Sequence, residues 1–209
     1  MSSTKQFGDM KKQVCTILTR IGALKFGTFT LASGKLSPYY IDLRLVPSYP
    51  EAFQKIINFY VKLAEELVGL DKFERVAGIP TAGIPFSSAL AIKLQKPFIY
   101  VRKEVKHHGR ERMIEGILMP GDRVLLVDDL VTSGQTLIDV ANAMRSEGAI
   151  VKDALVLIDR EEGAAKNLAK AKIELRSLMG IREAAKILYN LDAIDQEKLN
   201  AILKQVKGR

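Results

Sequence analysis

Apolar residues recur at helical spacing at Met10, Val14, Ile17, Leu18 and Ile21, which predicts an amphipathic helix over about residues 8–21 closed by Gly22. The period then changes. Phe26, Phe29 and Leu31, followed by Tyr39 to Leu43, read as short strands separated by turns at Ser33-Gly34 and Ser37-Pro38. Pro50 opens a second helix with Phe53, Ile56, Ile57, Tyr60, Val61, Ala64 and Leu67 on its buried face and Gly69 near its end. Beyond it the pattern alternates: strand 75–79, loop 80–83, helix to Gln95, strand 97–102, a long loop, strand 123–128, helix 135–147 and strand 150–158. The tail predicts a strand over 173–178 and helices over 181–190 and 195–206, with Asp195 capping the last.

Strands that alternate with helices need crossover connections, so the expected class is α/β, with a central, mostly parallel sheet flanked by helices on both faces. A chain of 209 residues suits one domain. Its expected parts are an N-terminal helix and small hood to about residue 45, a core over 46–178 and C-terminal helices over 179–209. In such sheets, ligands bind at the carboxyl ends of the strands.

Composition narrows the function only a little. A net charge of +8 and a pI near 9.5 imply anionic partners, either nucleic acid or small phosphorylated molecules. No apolar run approaches the length of a bilayer span, and the segment Met1 to Lys12 lacks the apolar centre of a signal peptide, so no membrane is implied and the expected location is cytoplasmic. The one cysteine, Cys15, excludes an internal disulfide and falls on the apolar side of the first helix, where a small buried hydrophobe is the expected role.

The chemistry concentrates at residues 124–136, Val-Leu-Leu-Val-Asp-Asp-Leu-Val-Thr-Ser-Gly-Gln-Thr. An apolar strand ends on Asp128 and Asp129, passes Leu130 and Val131, and enters a loop of Thr132, Ser133, Gly134, Gln135 and Thr136 that starts a helix. Hydroxyls and unpaired amides at a helix start attract a phosphate. Paired carboxylates beside that cradle suit the neighbouring hydroxyls of a ribose. A second concentration, residues 102–112, gathers Arg102, Lys103, Lys106, Arg110 and Arg112 with both histidines of the chain. A cationic loop flanked by Gly109 and Gly116 can close over a diphosphate and exclude water.

The 124–136 run matches the phosphoribosyl pyrophosphate (PRPP) signature of the type I phosphoribosyltransferases, and the chain as a whole resembles the orotate phosphoribosyltransferase family. Further matching pieces are Leu24-Lys25-Phe26-Gly27-Thr28-Phe29, Ser33-Gly34, Ser37-Pro38-Tyr39-Tyr40, the loop Arg102 to Gly109, and Asp159-Arg160-Glu161-Glu162-Gly163, in the family's order over residues 22 to 163. The resemblance implies that Arg102, Lys103, Lys106 and His108 hold the diphosphate of PRPP, with Lys106 the foremost catalytic contact of the loop. It implies orotate contacts at Thr132, Arg160 and Tyr40, and a second diphosphate-contacting turn at Thr81, Ala82 and Gly83. It also implies a homodimer in which part of the basic loop reaches the partner's site. Two departures stand out: Ala32 and Ala82 occupy positions where many relatives, or bacterial ones, carry lysine.

The expected reaction is orotate plus PRPP giving orotidine 5′-monophosphate and diphosphate, with Asp128, Asp129, Arg102 and Lys106 in the catalytic set. Mg²⁺ is the expected cofactor. It arrives with PRPP and water rather than in a protein cage, so no residue is assigned as its ligand. Two other readings share parts of the pattern. One is phosphoribosyl transfer to a purine base; the other is a PRPP-sensing regulator that binds nucleic acid through its basic surface, though no helix-turn-helix or aromatic stacking platform supports it.

Overall fold

The computed structural model describes residues 3–30, 34, 36–102 and 113–207. Helix α1 (Ser3–Arg20) leads into a two-stranded antiparallel hairpin, β1 (Leu24–Thr30) and β2 (Leu36–Ile41). A 3₁₀ turn over Leu43–Ser48 connects to α2 (Pro50–Leu63), which runs on into a π-helical turn, Ala64–Val68. The rest is β3 (Arg75–Gly78), α3 (Gly83–Leu94), β4 (Phe98–Val101), β5 (Ile114–Glu115), β6 (Arg123–Val131), α4 (Gln135–Ser146), β7 (Ile150–Asp159), α5 (Ala164–Lys170), β8 (Glu174–Gly180), α6 (Ile181–Asn190) and α7 (Gln196–Lys207). The main sheet has the order β5-β4-β3-β6-β7-β8, parallel throughout except for the β4–β5 pair.

The expected α/β class with helices on both faces is what folds, and strand alternation explains why. In β6, Leu125 and Val127 pack with α2, α3, α1 and the C-terminal helices, while Val124 and Leu126 pack with α4 and α5. Both faces are therefore buried and β6 reads as a continuous apolar run, as a central parallel strand should. Cys15 is fully buried, and burial pushes its thiol up to about 12, so it behaves as a packing residue. Asp195 caps α7: its Oδ1 accepts from the Lys198 amide at 2.8 Å.

Several boundaries differ from expectation. Ser37-Pro38 is not a turn but lies inside β2, where a hairpin edge tolerates a proline that has no N–H to give. That strand stops at Ile41, and Leu43 starts the 3₁₀ turn. Helix α1 begins at Ser3, ahead of the first apolar repeat. Strand β6 runs three residues past Asp128, to Val131, so the acid pair is within the strand rather than at its end. The short β5 and α5 were not anticipated; Leu31 and Ser33 lie outside the described residues.

Helix α2 reaches the acid pair through Tyr60. Its ring is fully buried against Phe86, with centroids 5.9 Å apart, and its hydroxyl donates to the Asp128 carbonyl at 2.7 Å. Replacing Tyr60 with Phe should lower unfolding stability by about 1 kcal/mol, measured by denaturant titration, since one buried hydrogen bond is lost and the packing is kept.

Candidate functional site

Asp128 and Leu130 stay in register with β7, opposite Val156 and Ile158. Leu130 packs with the cluster of Leu125 and Val127, whereas Val131 packs with that of Val124 and Leu126. Each acid accepts from the amide that follows it: Asp128 Oδ1 from the Asp129 amide at 2.9 Å, and Asp129 Oδ1 from the Leu130 amide at 2.8 Å. Gly83, at the start of α3, comes so close that a Cβ there would lie 2.6 Å from Asp128 Oδ1 and 2.9 Å from the Val127 carbonyl. Only glycine lets this turn approach the acids.

Burial first, and the neighbouring Asp129 charge second, hold the Asp128 carboxyl well above its ordinary range. Asp129 is also raised, by burial, although hydrogen bonds from Asp128 and the backbone and the more distant Arg44 charge pull the other way. The unliganded pair is thus reluctant to carry two charges.

The loop beyond β6 is shaped as an anion cradle. Gly134 has φ of 80°, and a side chain there would crowd Leu168 at 3.1 Å. Asn167 of α5 donates to the Ser133 carbonyl at 2.9 Å, fixing the loop from the side. Thr132, Ser133, Gln135 and Thr136 are exposed, and the amides of the first turn of α4 have no helical acceptors. The Gln135 side chain donates to Asp139 at 2.8 Å, along its own helix, and Val131 is core, so these two can serve a ligand only through their backbone.

Arg160 is 3% exposed. Its Nε donates to Glu162 at 3.0 Å, its Nη2 donates to the Ser37 hydroxyl at 3.2 Å, and its guanidinium lies 4.6 Å over the Tyr39 ring. Ser37 in turn donates to the Tyr39 carbonyl at 2.7 Å and lies 3.2 Å from Gln205 of α7. No described residue accepts from Nη1 of Arg160.

A cavity of about 450 Å³ joins these parts, lined by Tyr40, Ala82, Asp129, Leu130, Thr132, Ser133 and Arg160 among the expected site residues. It also takes in Asp42, Arg44 and Glu162, to which sequence reasoning assigned no role. Asp42 and Arg44 gave one weak sign, two charges inside an otherwise apolar run, Ile41 to Val46. Asp128, Thr81 and Gly83 border the cavity's turn and strand without lining it, and Gly134, Gln135 and Thr136 continue the loop away from it. Arg102 stands apart, its guanidinium paired with Glu115 across the β4–β5 edge. Lys103, Lys106 and His108 lie outside the described residues. A larger open hollow of about 790 Å³, at the opposite end of β7 and β8, holds no comparable chemistry; its Arg145 donates to the carbonyls of Val151, Ala171 and Lys172.

Residues 49–190 match the family model of the phosphoribosyl transferase domain. The orotate phosphoribosyltransferase of Cenarchaeum symbiosum is 44% identical over 90% of this chain and 92% of its own. The crystal structure of the orotate phosphoribosyltransferase from Aeropyrum pernix superposes with a TM-score of 0.76 at 34% identity, over 87% of this chain and 99% of that one. The Leishmania donovani UMP synthase structure gives a TM-score of 0.85 at 32% identity over 95% of this chain, which spans only 42% of that longer protein. The chain belongs to the orotate phosphoribosyltransferase family.

The acid pair makes a prediction about pH. A carboxyl raised in the folded state holds a proton that the unfolded chain releases above 3.8, so this group's contribution to unliganded stability is fully present below that pH and is lost as pH rises through its folded range. Asp128→Asn should flatten this decline and leave the unliganded protein more stable than wild type at neutral pH, as thermal unfolding between about pH 4 and pH 8 would register.

Proposed function

We propose that this enzyme transfers the phosphoribosyl group of PRPP to orotate, giving orotidine 5′-monophosphate and diphosphate in pyrimidine synthesis. The observation that carries this reading is one cavity lined by Asp129 of the acid pair, by Thr132 and Ser133 of the loop that leads into α4, and by the buried Arg160, whose Nη1 has no acceptor among the described residues. The relatives do not favour transfer to a purine base or a nucleic-acid-binding regulator.

Asp128 and Asp129 take the ribose hydroxyls, and Leu130 to Thr136 take the 5′-phosphate. Arg160 pairs with the orotate carboxylate, and Tyr40 and Thr132 border the ring. The bond from the ribose anomeric carbon to the diphosphate oxygen breaks, a ring nitrogen of orotate bonds to that carbon, and the nitrogen's proton passes to solvent. Positive charge on the sugar favours ionised acids beside it, which reverses the reluctance of the empty pair. Arg102, Lys103, Lys106 and His108, with the turn Thr81, Ala82 and Gly83, serve the departing diphosphate. Mg²⁺ fits this donor set as a cation bound chiefly by substrate oxygens, with Asp128 and Asp129 the available protein oxygens; it would neutralise charge on the leaving group.

We further read the enzyme as a cytoplasmic homodimer whose basic loops complete each other's sites. No helix among the described residues is long and apolar enough to cross a membrane. Met113, Ile117 and Met119, exposed around β5, supply apolar surface where that loop returns to the sheet.

Orotate absorbance should fall when PRPP and Mg²⁺ are added to the enzyme; turnover of a purine base in its place would replace this reading. Arg160→Lys should raise the KM for orotate by about tenfold or more, because a charge-assisted hydrogen bond is worth about 1.5–3 kcal/mol and lysine cannot copy the fork. Equal losses for orotate and PRPP would count against the assignment.

A further inference from the structure

The cavity that Arg160 lines carries a second guanidinium with a built support. Asp42 grips Arg44 with both carboxylate oxygens, Nε to Oδ1 at 2.6 Å and Nη2 to Oδ2 at 3.0 Å. The other Nη2 hydrogen goes to the Tyr40 hydroxyl at 2.8 Å. Four of the five N–H groups of an arginine lie on its two Nη atoms, and here those on Nη1 have no acceptor among the described residues. The side chain is 60% exposed at the cavity mouth, so its fork is open to a ligand.

Charge indicates what that ligand is. Among the described residues lining the cavity, Asp42, Asp129 and Glu162 face only Arg44 and Arg160. Arg160, at the β7 end, is given to Glu162, Ser37 and the orotate carboxylate, and Ala82 of the β3–α3 turn brings no cation. The 5′-phosphate has the amides of the α4 start. The polyanion left without a described counter-charge is the diphosphate, and Arg44 shares the cavity with both Ala82 and Asp129. Building on the reading of the site given above, we propose that Arg44, clamped by Asp42, is a second anion-binding guanidinium of this site and takes an oxygen of the diphosphate arm of PRPP.

Asp42 does more than orient. An unclamped arginine beside Asp129 would pair with that carboxylate and withdraw it from the ribose; a bidentate partner of its own keeps the guanidinium in place. The hydrogen bonds from Arg44 hold the Asp42 carboxyl below its usual range, so the clamp stays ionised at neutral pH.

The test is calorimetric titration of the whole chain with inorganic diphosphate and with PRPP, each with Mg²⁺, together with the KM for orotate at saturating PRPP. Arg44→Gln should weaken diphosphate and PRPP by about tenfold or more, flatten the salt dependence of both, and leave the orotate KM within about twofold. Arg44→Lys should recover part of the affinity, and Asp42→Asn should weaken PRPP with Arg44 still present. Unchanged diphosphate and PRPP affinity in Arg44→Gln would overturn the proposal. So would a loss confined to orotate, which would make Arg44 a support for Tyr40 instead. A wild-type chain that holds no PRPP would bring down the underlying reading, an outcome distinct from a wild type and an Arg44→Gln variant that hold it equally well.

Discussion

Burying a guanidinium obliges the fold to satisfy it, and Arg160 is where that obligation shapes this molecule. Its partners come from separate parts of the chain: Glu162 from the turn after β7, Ser37 and Tyr39 from the hairpin. Ser37 is tied in turn to α7 through Gln205. Removing one partner of a buried ion pair typically costs about 3–5 kcal/mol, because the other charge is left stranded. A two-stranded hairpin is marginal by itself in water. Here Ser37 and Tyr39 tie it to the buried guanidinium, and Tyr39 and Ile41 anchor it in the apolar core.

The acid pair works under the opposite pressure. Arg160 is buried with its counter-charge supplied, whereas the half-buried Asp128 and the buried Asp129 lie side by side with little positive charge near them. Each carboxylate accepts from the amide of the next residue, and the side-chain-free approach of Gly83 crowds the two acids together. Such a site gives up stability when empty and regains it when a diol and cations arrive.

Much of this was legible from residue order. The apolar runs at 124–127 and 154–158 and the helical repeats between them define a two-faced parallel sheet, and the order of motifs from Leu24 to Gly163 marks the family. What escaped was either too short to leave a period or set by contacts between distant residues. The two residues of β5 and seven of α5 cannot carry a pattern. Pro38 reads locally as a turn, yet the pairing of β1 with β2 overrides it. Asp42, Arg44 and Glu162 have roles only because the hairpin and the β7 turn meet over one cavity, which no spacing along the chain reports.

The prop between α5 and the β6–α4 loop has a further consequence. Gly134 presses against Leu168, and Asn167 holds the Ser133 carbonyl, so the phosphate end of the cavity takes its position from the segment that follows β7. That segment begins with Arg160 and Glu162, which line the same cavity. One short connection thus ties the loop that opens α4 to the buried arginine, and a change in its length would shift the two against each other.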